Sequence, residues 1–434
     1  MKRSLLFLFA FFVLESSSSS INNDIISSFT FGSSYYDPIL STDLSIFNSI
    51  KQHKSDLWLW LGNSVSIGKS TLFNYFTQTQ QNNVTDVKTF YKTCKENPHY
   101  QEMIKKTPVI GIWDDKDYGK CEGNGLFEGK EESKRYFLDF LGEHQSSPRR
   151  VPGRGIYETY AYGNGYKSVR FILLDVRYHK TKYFLNKNAD MLGEEQWGWL
   201  ERVLKEAKES IIFICSPTQI LPFNKLISES WYNNSRKRLF KLISKYQKNG
   251  VIFLSGGINH AQISKTFCVI PDIGYNLYEL TSSGLGYFKN QTHIEQFIPN
   301  DYTYKNYYGY NFGEVKFNWG NSLEATTVEL SIWDINNRKQ IELKIKYDDL
   351  IFKRENIAEY EQSIFKPSCI VRTTQRFKHP FEYIYYYTTH LNEICIGLFY
   401  TVVLFIISYL LFSKIGLAFV VLMFGFFAYN SKLI

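Results

Sequence analysis

The stretch Thr107–Asn124, TPVIGIWDDKDYGKCEGN, decides how the chain is read. An apolar run, Val109 to Trp113, drives into Asp114, Asp115 and Asp117, then into Gly119 and Gly123. That is the pattern of a buried strand ending in a loop rich in carboxylates. Carboxylates gathered at a strand end bind metal, handle protons or anchor loop backbone. Turn chemistry alone would account for the last of these.

Working outward, the same pattern recurs. Asp56–Leu61 (DLWLWL) ends at Gly62-Asn63, Val169–Leu174 at Asp175-Val176-Arg177, and Val251–Leu254 at a run through Gly257, Asn259 and His260. Ser28–Ser34 and Ile211–Cys215 also read as strands, and Tyr275–Leu280, Gly313–Phe317, Thr327–Trp333 and Gln340–Ile345 alternate as strands do. Helices are expected at Leu44–Lys51, Glu132–Leu141 and Leu192–Lys208; in the last, Trp197, Leu200, Val203 and Leu204 share a face. Strands interleaved with helices first, and mostly strands later, predict a layered α/β sandwich. Ligands of such proteins sit beyond strand ends, so the four polar clusters are expected to face one pocket. The segment Gly62–Ser70 (GNSVSIGKS) resembles a phosphate loop, but five residues separate its glycines where four are needed to wrap a phosphate.

The chain has 434 residues, 44% hydrophobic and 17% aromatic, enough for a sizeable core. The net charge of +8 comes from scattered Lys and Arg without a basic stripe, which argues against nucleic acid as a partner. Both ends read as targeting segments. Lys2 and Arg3 precede the apolar run Leu5–Leu14 and the serines Ser16–Ser20, the layout of a signal peptide over residues 1–20. Residues 351–393 read as a charged, aromatic connector, and 394–430 as transmembrane segment or segments, in which Ile394–Phe412 carries no charge. Residues 21–350 would then be a lumenal or extracellular domain of the secretory pathway or cell surface. The triplets at Asn83, Asn233 and Asn290 become usable glycosylation sequons. Of six cysteines, Cys395 falls in the membrane segment and Cys215 and Cys268 read as buried thiols. A Cys94–Cys121 disulfide is compatible with that compartment, but spacing alone does not establish it.

Ten ordered stretches resemble the PhoD-like alkaline phosphatases, a branch of the metallophosphatase superfamily. Among them are FGSS (Phe31–Ser34), LWLGN (Leu59–Asn63), GIWDDKDYG (Gly111–Gly119), RGIYETY (Arg154–Tyr160), LLDVRYH (Leu173–His179), MLGEEQWGWLE (Met191–Glu201), IFLSGGINHAQI (Ile252–Ile263) and ELTSSGLG (Glu279–Gly286). The resemblance implies a metallophosphatase β-sandwich flanked by helices. It also implies phosphate-ester hydrolysis at bound metal cations, iron and calcium in the best-known case.

The sequence departs from the family where that chemistry sits. Ser34 stands for a ligating cysteine, Asn63 for an aspartate, Ser66 for a tyrosine, Lys116 for a histidine and Cys121 for an asparagine. Gly257 and Asn259 stand for the Asp and His of a Gly-Asp-x-His run, and Gly286-Tyr287 for a Thr-His pair. Asp114, Asp115, Asp117, Asp175 and Arg177 survive. A di-metal site needs anionic or strong neutral donors, and Gly257 offers no side chain at all. The Lys116 ammonium would repel metal and neutralise nearby carboxylates. The expectation is therefore a catalytically degenerate, membrane-anchored relative with no cofactor, acting in binding or scaffolding. Asp175, Arg177 and Lys116 are its candidates for holding a phosphate-like anion, with a protein ligand as the other expected partner. Asp114, Asp115 and Asp117 are weak candidates for a calcium ion. The alternative is an active phosphatase or phosphodiesterase with a reshaped iron, calcium or zinc site.

Overall fold

A computed structural model describes residues 21–35, 46–65, 84–182, 188–222, 229–266, 273–290, 303–353 and 402–405. The signal segment, Ser66, Cys268, Cys369, Cys395, the connector beyond 353 and most of 394–430 lie outside them. So do Asn83 and the second and third residues of the Asn290 triplet. Contacts divide the chain into two units, Met1–Thr71 with Gln78–Val371 and Leu72–Thr77 with Arg372–Ile434; everything below concerns the first. Among the described residues no helix is long and apolar enough to cross a membrane.

Two mixed sheets form the unit. The six-stranded sheet runs β14-β13-β12-β2-β3-β4, built from β2 (Ser28–Gly32), β3 (Trp58–Leu61), β4 (Val109–Ile112), β12 (Asn311–Asn318), β13 (Thr327–Asp334) and β14 (Lys339–Lys346). The eight-stranded sheet runs β1-β5-β6-β7-β8-β10-β9-β11. Its strands are β1 (Ile21–Asn22), β5 (Glu158–Asn164), β6 (Lys167–Leu173), β7 (Ile211–Ser216), β8 (Val251–Ser255), β9 (Ala261–Lys265), β10 (Tyr278–Thr281) and β11 (Thr303–Tyr307). Phe29 of β2 packs edge-on to Phe171 of β6 and Phe213 of β7, with ring centroids 4.9 and 5.1 Å apart, so the core lies between the sheets. Such aromatic pairs add about 0.5–1.5 kcal/mol each beyond their burial.

The helices cover the outer faces. α1 (Ile46–Gln52) and α3 (Pro98–Ile104) pack on β3, where Trp60 donates from Nε1 to the Tyr100 hydroxyl at 3.1 Å. α2 (Val84–Glu96) lies against α5 (Lys130–Leu141), whose Phe140 also meets Trp60. α6 (Gly193–Glu206) and α7 (Asn233–Lys245) flank the other sheet, with Phe240 stacked on Phe253 of β8. α4 (Asp115–Tyr118) is a single turn after β4. The strands β2, β3 and β4 are parallel neighbours, as are β6, β7, β8 and β10. Their C-terminal ends therefore come out on the same edge of each sheet, and both faces of β3 and β8 are buried, which is why they read as unbroken apolar runs. Cys94 and Cys121 are free, buried thiols and form no disulfide; Cys215 is a free, buried thiol as expected.

Candidate functional site

The two sheets are stitched together at the strand ends. After β2, the Ser33 hydroxyl donates to the Ser282 carbonyl beyond β10 at 3.0 Å and accepts from the Gly257 N–H beyond β8 at 3.3 Å. The Ser34 hydroxyl lies 2.9 Å from that of Ser283 and 3.1 Å from Asn259 Oδ1, and Ser283 Oγ accepts from the Asn259 N–H at 2.8 Å. Ser34, Asn63 and Asn259 adopt left-handed φ of 59°, 48° and 58°, beside Gly62 at 80° and Gly257 at 77°. Gly and Asn accept that conformation readily and Ser does not, so of these five Ser34 is the strained position.

Asp114 is the centre of a buried charge network. Its Oδ1 accepts from Arg177 Nε at 2.8 Å and Nη2 at 2.6 Å, and its Oδ2 accepts from Asn63 Nδ2 at 3.2 Å. The other edge of the Arg177 guanidinium reaches Glu229, Nη1 to Oε1 at 3.1 Å and Nη2 to Oε2 at 2.6 Å, and Lys180 also pairs with Glu229. Arg177 is 1% exposed, and its donors are directed at these two carboxylates. Burial works against the guanidinium charge, but Asp114 and Glu229 outweigh it and hold Arg177 firmly protonated. Burial pushes the Asp114 carboxyl up to about 7 against the pull of Arg177. Burial acts likewise on Glu229, but Arg177 and Lys180 prevail and keep it well below the usual carboxylate range.

Two of the carboxylates face inward and serve the backbone. Asp117, wholly buried, accepts from the Ser64 N–H (3.1 Å) and hydroxyl (2.6 Å), the Tyr91 hydroxyl (2.9 Å) and the Asp114 N–H (3.0 Å). Asp175 accepts the N–H groups of Ile156, Arg177 and Tyr178 at 2.9, 2.9 and 3.0 Å. Asp115 accepts from the Glu122 N–H at 3.1 Å. The Lys116 N–H donates to Asn63 Oδ1 at 3.1 Å. Burial disfavours the Lys116 ammonium, but Asp115, Cys121 and Asp114 raise its pKa above the ordinary value. No carboxylate oxygen of the described residues lies within 4 Å of that ammonium, so the direct partner of Asp114 is Arg177. His260, one residue past the expected position, points its Nδ1 at the Ile258 carbonyl (3.0 Å) and stacks on Tyr308.

The structure thus brings Ser34 to Asn259, and Asn63 and Lys116 to Asp114 and Arg177, with Cys121 beside Asp115 and Lys116. A Cβ on Gly257 would lie 3.1 Å from Asp114 Oδ2 and 2.8 Å from the Pro217 carbonyl. Glu229 escaped the sequence reading. It follows no apolar strand, and its partner Arg177 is 52 residues away. These donors do not fit the pair of cations that the family resemblance implies. The Asn63 amide and Ser34 hydroxyl are spent on protein partners, Gly257 supplies nothing, and a guanidinium holds one Asp114 oxygen. Among the described residues no three His, Cys, Asp or Glu side chains are grouped to hold a metal ion.

A family model described as PhoD-like phosphatase matches residues 32–293. The solved structure of PhoD is similar over 81% of this chain and 78% of its own, at 15% identity and a TM-score of 0.54, a likeness of fold. Weaker likenesses are GAP50, the anchor in the inner membrane complex of Plasmodium (12% identity; 77% of this chain, 91% of that one; TM-score 0.40), and a 5′-nucleotidase precursor from Thermus thermophilus (11%; 78% and 59%; 0.29). No curated protein sequence matches the chain.

Proposed function

The chain belongs to the PhoD-like phosphatase family, and from that premise we propose that it is a non-hydrolytic member, anchored in a secretory or cell-surface membrane and acting in binding or scaffolding. The observation that carries this reading is what the substituted positions do: Asn63 is spent on Asp114 and the Lys116 N–H, Ser34 on Asn259 and Ser283, and Gly257 has no side chain to offer. A metal that hydrolyses esters must reach anionic donors and keep a position for water. At Asp114 one oxygen already carries a fixed protein cation, and the neighbouring positions offer an amide, a hydroxyl and a glycine. The built-in cation does the structural part of a metal's work, joining strand ends of both sheets, without lowering the pKa of a water.

Under this reading the exchangeable charge is Lys116, which among the described residues makes no ion pair within 4 Å, is kept protonated by the nearby Asp115 and Asp114, and offers its ammonium to a phosphate-like anion. Arg177 and Asp175 act beneath it, one as a fixed counter-charge and the other as a clamp on the loop backbone. The apolar run near the C-terminus, the leader-like N-terminus and the sequons support placement of the domain on the lumenal or outer side.

The test is metal analysis and phosphoesterase assay of the purified full-length chain. The expected result is substoichiometric iron, zinc and calcium, no turnover of a model phosphate ester, and melting indifferent to chelator. Stoichiometric metal with turnover abolished by chelation would instead make the chain a hydrolase with a reshaped site.

A further inference from the structure

At the end of α1, His53 is wedged under the turn that joins β13 to β14, apart from the strand-end cluster and independent of the non-hydrolytic reading. Its side chain is 8% exposed and lies edge-on to the rings of Phe312 and Trp333, with centroids 5.0 and 4.7 Å away. Both ring nitrogens face oxygen. Nδ1 is 2.8 Å from Glu314 Oε1 on β12, and Nε2 is 3.2 Å from Asn337 Oδ1 in the turn. The Asn337 amide is oriented by its other end, since Nδ2 donates to Gln52 Oε1 at 2.9 Å. A neutral imidazole has one N–H and cannot donate to both oxygens; the imidazolium can. Glu314 is buried, and its Oε2 has no hydrogen-bond partner among the described residues, so its charge rests on His53 and on Lys316, 3.2 Å from Oε1. Burial opposes that charge, but His53 and Lys316 outweigh it and hold the carboxyl below its usual range. The other charged groups on the elements around the ring are engaged elsewhere, Asp334 with Arg338, Lys339 with Glu329 and Glu342, and Lys51 with Glu102, while Lys54 is exposed.

We infer that His53 is a proton-operated clasp: the imidazolium donates to Glu314 and Asn337 at once and locks the β13–β14 turn onto α1, and loss of the Nε2 proton to solvent leaves Nδ1–H on Glu314 and lets Asn337 go. The closed clasp needs the second proton and the open one does not, so the turn is fixed in acid and released as pH rises. The Ser49 hydroxyl still donates to the Ile335 carbonyl, so the released turn pivots on that bond and stays attached to α1. Asn336 and Arg338 of the turn are exposed. A partner that reads this face meets one shape in an acidic compartment and another at neutral pH.

Two measurements on the full chain in nanodiscs of neutral lipid test this. Histidine nitrogen chemical shifts, assigned with His53→Gln, read the ring. Amide exchange of the segment Asp334–Arg338, corrected for its intrinsic pH dependence, reads the turn. At about pH 5 both His53 nitrogens should carry hydrogen, and the segment should exchange about tenfold more slowly than at about pH 8, the worth of one charge-assisted hydrogen bond. His53→Gln and Asn337→Ala should each abolish that ratio, the second while His53 still titrates, with melting temperatures as the folding control. A His53 ring that keeps one bare nitrogen in acid would overturn the clasp, because the Asn337 and Gln52 amides would then be turned round. Exchange that ignores pH in the unaltered chain, or that follows pH equally in both variants, would overturn it too.

Discussion

Replacing Arg177 with Met removes the charge from the centre of the network and leaves its volume nearly filled. Deleting one partner of a buried ion pair costs about 3–5 kcal/mol, because the other charge is left stranded. Here Glu229 keeps Lys180 and Asp114 keeps the Asn63 amide, so the expected loss lies at the lower end, about 3 kcal/mol. The loss should depend on pH. Folded Asp114 titrates near 7 against an ordinary value of 3.8, so the folded state holds that proton more tightly than the unfolded chain. Its contribution is fully present below 3.8 and declines as pH rises toward about 7. Without Arg177 the folded value moves higher still, and the decline continues beyond neutrality. The variant's deficit should therefore rise through neutral pH as Asp114 ionises, above a smaller deficit that persists in mild acid, where Glu229 stays ionised and has lost Arg177. Urea unfolding across pH measures it, the midpoint falling by about 1 M if the slope is about 3 kcal/mol/M. An Asp114→Asn/Arg177→Met double variant should recover most of the stability, since no charge is then stranded. A loss under about 1 kcal/mol that ignores pH, with no recovery in the double variant, would refute the reasoning.

Two further substitutions probe the same edge. Asp117→Asn puts an N–H group where Asp117 now accepts from the Asp114 or Ser64 backbone, and should cost about 1–3 kcal/mol in urea unfolding while raising amide exchange at Ser64. Gly257→Asp, the change that would return a family carboxylate, should lower stability when made alone, because φ is 77° there and the new Cβ would meet the Pro217 carbonyl at 2.8 Å; made together with Asn63→Asp, Lys116→His and Asn259→His it should bind metal better than any one of them, as equilibrium dialysis would show.

Much of the fold was legible because parallel strands buried on both faces read as unbroken apolar runs. DLWLWL and VIFLS each announce a strand, and the polar residues after them announce an edge. α7 was not read, although Leu239, Phe240, Leu242 and Ile243 are buried, because Lys and Arg are interspersed through the segment. At the site, the pattern supplied addresses but not directions. Nothing in WDDKD says that Asp117 turns inward to four donors while Asp114 meets a guanidinium. Glu229 has no local signal at all, since its role exists only once β6 and the loop after β7 are brought together.

The backbone at this edge bears on what the cluster is for. Ser34 in the left-handed region costs on the order of 1–3 kcal/mol, and it persists only where its surroundings fix it. They do so here through hydrogen bonds from neighbouring protein groups. Asn259 and Ser283 hold the Ser34 side chain, and the Gly286 and Tyr287 N–H groups donate to its carbonyl at 2.9 and 3.2 Å. Asn63 is pinned in the same way, its amide donating to Asp114 and accepting from the Lys116 N–H. Hydrogen bonds among protein groups therefore fix the strand-end loops, and a surface fixed in this way loses little freedom on binding.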